Sequence, residues 1–168
     1  MSNPQKIADW RWWSGFVLGL FLCNSAFGQS THLLLSSERD ATSRTVLLNL
    51  WLANSTFTPA GLQWTFDYSP AQIRDIAVLI GPVAQEAEKS MPCASRPGAL
   101  KCLLTGLNTN QTHSGLLALV RVTLAPGVNS AIVRMDNTLG VSANGQGLPA
   151  DSNVAVIHLS RPQSLVND

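Results

Sequence analysis

The sequence predicts an all-β domain, a sandwich or a barrel. Three observations carry this. Apolar residues recur at every second position in several runs, the period of a half-buried strand. Clusters of Asn, Ser, Thr, Gly and Pro punctuate those runs at regular intervals. Only one short segment, Pro82–Lys89, reads as helix, two turns at most. The chain has 168 residues, 45% of them hydrophobic and 12% charged, which suits one domain with a buried core. No repeat of solenoid or propeller length is present.

Residues 1–28 read as a secretory signal peptide. Lys6 and Arg11 outweigh Asp9, the apolar run Gly15–Cys23 follows, and Ser25-Ala-Phe-Gly28 places small residues at positions −3 and −1 of a cut after Gly28. The unbroken apolar run is about half the ~20 residues a spanning helix needs, so no stable membrane insertion is expected after cleavage. Leu22, directly before Cys23, is not the small residue a lipobox wants. Localisation is therefore predicted as secreted, periplasmic or cell-envelope. Cleavage removes Lys6, Arg11 and Asp9, leaving nine bases against nine acids on residues 29–168. That balance lacks the basic patch that nucleic acid demands.

The strands follow in order. His32–Ser36 is a short apolar run. Arg44–Asn54 sets Val46, Leu48, Leu50 and Leu52 on one face, with Thr45, Leu47, Asn49 and Trp51 on the other. Gly61–Tyr68 alternates more cleanly: Leu62, Trp64, Phe66 and Tyr68 against Gln63, Thr65 and Asp67. Ile73–Ile80 is β-branched and apolar. Leu100–Leu104, Leu116–Leu124, Ala131–Met135 and Val154–Leu159 complete the set.

Cleavage also removes Cys23, leaving Cys93 and Cys102. An even cysteine count in an exported chain reads as a disulfide. Both are equidistant from the Pro97–Gly98 bond, so a hairpin turning there sets them face to face. Pro at the first turn position disfavours the primed hairpin turns, which leaves a loop longer than two residues as an alternative. The spacing is not that of a C-x-x-C redox pair.

The stretch Ala60-Gly-Leu-Gln-Trp-Thr-Phe-Asp-Tyr-Ser-Pro-Ala-Gln-Ile73 resembles the third strand and following turn of cohesin domains. In that family a Gly and an apolar residue open a strand of alternating aromatics that ends in Tyr-Asp-Pro, two variable residues and an aliphatic one. Phe66, Tyr68, Pro70 and Ile73 fill those places, with Ser69 where the family usually has Asp. Arg44–Asn54 is similar to the family's long second strand. Ser114-Gly115 with Leu116–Leu124, then Asp136–Pro149 and Val154–Leu159, are similar to its later segments in the same order. The resemblance covers about residues 31–160.

This resemblance implies a nine-stranded jelly-roll sandwich and a non-catalytic role. Cohesins bind dockerin modules of polysaccharide-degrading enzymes, through a sheet face that includes the third strand. With the aromatics of that strand inward, Gln63, Thr65 and Asp67 point outward and become the candidate partner contacts. The partner implied is a dockerin-like module or an envelope or surface component. The alternative is a carbohydrate-binding module, because the fold is shared with cellulose-binding modules. Trp51, off the main apolar face of its strand, is then the candidate for stacking on a sugar, against a core role.

Enzyme chemistry finds little material. His32, His113 and His158 show no metal-ligand spacing, although His32 and His158 lie on the first and last strands. No G-x-S-x-G is present. Asp67 and Asp75 flank a turn with no second acid at a glycosidase-like position. Asn108–Ser114 lacks the acidic cluster of a calcium loop. The expectation is a protein with no catalytic residues, no metal and no cofactor.

Overall fold

The computed structural model describes residues 31–54 and 58–159. The predicted signal peptide and its cut after Gly28 lie outside these residues. Eleven strands and one helix follow in order: β1 Thr31–Leu35, β2 Glu38–Ala41, β3 Thr45–Asn54, β4 Gly61–Tyr68, β5 Ile73–Ile80, α1 Pro82–Glu86, β6 Cys93–Arg96, β7 Ala99–Leu104, β8 Gly115–Leu124, β9 Ser130–Val141, β10 Gly147–Ser152 and β11 Val154–Leu159.

They build a jelly-roll sandwich. The first sheet runs β5-β8-β3-β1, and the second runs β6-β7-β4-β9 with β11 and then β2 beyond. The long strand β9 pairs with β4 along one edge, and with β10 and β11 along successive parts of the other. β10 joins the sheets, parallel to β1 and antiparallel to β9. Eleven assigned strands exceed the expected nine because short edge pieces, such as the four-residue β2 and β6, each count.

The period-2 pattern explains the packing. Leu33, Leu48, Leu50, Val120 and Val122 of the first sheet share one buried cluster with Leu62, Trp64, Phe66, Val133 and Ile157 of the second. The Trp64 and Phe66 rings meet edge to face, their centroids 6.3 Å apart.

The β6–β7 hairpin carries the disulfide. Cys93 stands directly opposite Cys102 in the register, and the two are bonded. Arg96 pairs with Ala99, so the loop is the two residues Pro97–Gly98 and not a longer one. Gly98 takes φ +78°, as the second central position of a type II turn requires, and this reconciles Pro with so tight a loop. Its carbonyl accepts the Tyr68 N–H at 2.9 Å, which holds the turn against β4.

The helix is shorter than Pro82–Lys89. Pro82 opens it, as suits a residue without an N–H. It stops at Glu86 because Glu88 enters the left-handed region at φ +53° and Lys89 turns into the protein. Gly81 brings the chain close to β8: a Cβ there would lie 2.5 Å from the Leu116 carbonyl oxygen.

Candidate functional site

The outer face of the second sheet is built around β4. With Leu62, Trp64 and Phe66 committed to the core, Gln63, Thr65 and Asp67 face outward. In the register Gln63 lies between Leu139 and Leu103, Thr65 between Asp136 and Lys101, and Asp67 between Arg134 and Ala99.

A bulge shapes this face. From Gln63 to Thr65 the β4 chain advances two residues while β9 advances three, from Leu139 to Asp136. Asn137 absorbs the extra residue at φ +51°, a conformation Asn tolerates better than most. Its N–H donates to the Asp136 carboxylate at 2.7 Å.

Two depressions adjoin at Gln63. One, of about 450 Å³, is polar and lined by Gln63, Thr65, Ser95, Arg96, Lys101 and Asn137, with Ala94. The other, of about 360 Å³, is mostly apolar and includes Gly61, Leu103, Leu139 and Val141. Leu103 and Leu139 are exposed on its walls. The arrangement offers a cationic, hydrogen-bonding half and an apolar half.

The sequence-predicted contacts separate here. Gln63 and Asp67 are partly accessible, but Thr65 is only 4% exposed. Thr65 does point outward. Its strand neighbours Lys101 and Asp136 flank it closely, so it forms the floor of the polar depression and not its rim. Arg96, Lys101, Leu103 and Leu139 were not singled out from the sequence. Extending the alternation of Leu100–Leu104 outward would have found Lys101 and Leu103.

Trp51 is elsewhere. It sits on the outer face of the first sheet at 45% exposure, so it is not a core residue and does not join Gln63. His32 approaches Asp151, Nδ1 to Oδ2 3.7 Å, on that sheet. His158 lies opposite Ser130 on the other, so the first and last strands are not neighbours. Asp75 pairs with Arg121 at 3.8 Å and is remote in the register from Asp67. Lys89 is buried, and desolvation lowers its pKa from 10.5.

No protein-family model matches the sequence, and no curated protein matches it significantly. The fold does have solved counterparts. A non-cellulosomal cohesin from Archaeoglobus fulgidus superposes with a TM-score of 0.63 at 12% identity, covering 80% of this chain and 94% of that one. The sixth cohesin of Acetivibrio cellulolyticus scaffoldin B, solved in complex with a Cel5 dockerin, gives 0.66 at 14% identity, covering 78% and 99%. The cohesin of a Clostridium thermocellum Coh-OlpC–Doc435 complex gives 0.66 at 11%, covering 79% and 94%. The domain is cohesin-like in fold.

Proposed function

We propose that this chain is an exported, non-catalytic binding module. Its partner is another protein, a dockerin-like module or a component of the cell envelope or surface. The partner seats on the outer face of β6-β7-β4-β9. The observation that carries this reading is the pair of depressions meeting at Gln63, on a fold whose solved counterparts include cohesins in complex with dockerins. Gln63 supplies hydrogen bonds at the centre, Leu103 and Leu139 an apolar anchor site, and Lys101 and Arg96 two cations at the rim. Export is supported by the charge and apolar pattern of residues 1–28 and by the Cys93–Cys102 bond, since disulfides persist in oxidising compartments.

The second reading, a carbohydrate-binding module, rests on exposed Trp51. Pull-down from the exported fraction, run beside a panel of polysaccharides, decides between them. A captured protein lost on Gln63→Arg, with circular dichroism unchanged, is the expected result. A glycan interaction abolished by Trp51→Ala would overturn it.

A further inference from the structure

The two depressions that adjoin at Gln63 carry charge of one sign only. Among their lining residues Arg96 and Lys101 are the charged groups, and both belong to the polar depression. Neither has an ion-pair partner among the described residues. The acids of the same face are answered nearby. The Asp136 carboxylate accepts the Asn137 N–H at 2.7 Å, and Asp67 stands opposite Arg134 in the register. The polar half therefore offers two cations that a carboxylate would satisfy.

The apolar half has no charged lining and a raised lip. Leu103, Leu139 and Val141 are exposed around it, and Leu107 stands fully exposed between Gly106 and Asn108, which both line it. Single exposed leucines are ordinary, but aliphatic side chains gathered at one depression mark an interaction site. The loop that carries Leu107 is pinned on both sides. Before it, Thr105 and Ser90 exchange backbone hydrogen bonds of 3.0 and 2.7 Å. After it, the buried Lys89 ammonium donates twice to Asn108, and the Asn110 side chain donates to the Ala87 carbonyl at 3.3 Å. A partner closing over Leu107 meets a loop already ordered, which removes one entropic cost of binding.

The backbone decides the form of the segment that fits. β4 is paired with β7 on one edge and β9 on the other, so a chain seated over Gln63 finds no strand edge to join. It must satisfy its own N–H and C=O groups, as a helix does. Lys101 and Leu103 leave β7 two residues apart, about 6.6 Å, close to the ~5.4 Å of one helical turn.

We propose that the partner presents to this face a helix with an aliphatic row and a carboxylate one turn beyond it. The aliphatic side chains pack among Leu103, Leu107 and Leu139, and the carboxylate reaches Arg96 and Lys101. This rests on the partner-binding reading of the face and assigns the charge that the partner carries there.

Fluorescence anisotropy of labelled helical peptides with the protein recovered after export tests it. Three peptides share one row of leucines and carry Glu, Gln or Lys one turn beyond the row at both ends. The Glu peptide is expected to bind about ten-fold tighter than the Gln peptide, with the Lys peptide weakest. The preference should shrink as salt rises from ~0.01 M to ~1 M and the charges are screened. Arg96→Glu with Lys101→Glu should reverse the order. Leu107→Ser should weaken all three peptides alike, by about ten-fold, with unchanged circular dichroism. Leu47→Ser, on the other sheet, should change nothing. Equal affinity for the Glu and Lys peptides, an order that survives the double Glu variant, or indifference to Leu107→Ser would each overturn the proposal. So would a failure of every peptide to bind at ~1 mM, the weak limit of specific association. Capture of a protein in the pull-down, lost on Gln63→Arg, would in that case leave the partner-binding reading standing without this helix.

Discussion

The Lys89 ammonium donates to Asn108 twice, to the side-chain Oδ1 at 2.6 Å and to the backbone carbonyl at 3.1 Å. Asn108 in turn donates from Nδ2 to the carbonyls of Glu88 at 3.2 Å and Ala87 at 3.4 Å. The end of α1 and the loop after β7 are thereby knotted around a lysine only 6% exposed. Removing the acceptor leaves a buried charge half-satisfied. Asn108→Ala should cost about 2–3 kcal/mol in urea unfolding, more than a surface Asn→Ala change.

The same lysine sets a pH dependence. Burial lowers its folded pKa below 10.5, so between those two values the unfolded chain binds more protons than the folded one. Stability relative to a Lys89→Met variant should therefore rise with pH across that window. It should be flat below the folded pKa, where both states are protonated. Paired unfolding curves over the alkaline range check the sign, and wild-type stability that falls relative to the variant with rising pH would contradict it.

Cys93 and Cys102 close a short loop from paired hairpin positions, Cys102 buried and Cys93 exposed on the edge strand β6. Replacing both with Ala should cost about 2–3 kcal/mol by the loop-entropy model. Thiol titration of the unfolded, unreduced, signal-free protein should find no free thiol.

Gly81 should reject a side chain on steric grounds alone. A Cβ there would also lie 2.7 Å from the Leu117 carbonyl carbon, and neither backbone group can swing aside. Gly81→Ala should destabilise by about 1–3 kcal/mol. Gly147→Ala, with nothing within 4 Å of its Cβ position, should fall within about 0.5 kcal/mol of wild type. Thermal unfolding of the two variants side by side makes the comparison.

The proposed partner face predicts a polarity of effects. Leu103→Asp places a charge on the wall of the apolar depression and should abolish capture of a protein partner with the fold intact. Leu47→Asp, on the opposite sheet, should leave capture unchanged. Equal losses from both variants would count against a face-specific site.

Three strands were legible to the residue: Gly61–Tyr68, Ile73–Ile80 and Val154–Leu159 match β4, β5 and β11. Their alternation or continuous apolar character is strong enough to mark both ends. β9 was seen only as Ala131–Met135, although it runs on to Val141. The bulge at Asn137 shifts the period by one residue, so the outward Leu139 and inward Gly140 fall out of phase with the first half. β2 and β10 were not recognised as strands. Glu-Arg-Asp-Ala and Gly-Leu-Pro-Ala-Asp-Ser carry no apolar rhythm; β2 owes its pairing to distant β11, and β10 is held between distant β1 and its neighbour β9.

The sequence by itself determined the all-β class, the order of the main strands, the Cys93–Cys102 pairing and the side of β4 on which Gln63, Thr65 and Asp67 lie. These follow from a period of two and from spacing about a turn, both local properties of the chain. The tertiary structure decided that Thr65 is a floor, that Trp51 stands in solvent, and that Lys101, Leu103 and Leu139 share a surface with Gln63. Alternation says which way a side chain points. How much of it remains accessible depends on which strands come to lie beside it, and only the long-range pairing of β7 and β9 with β4 decides that.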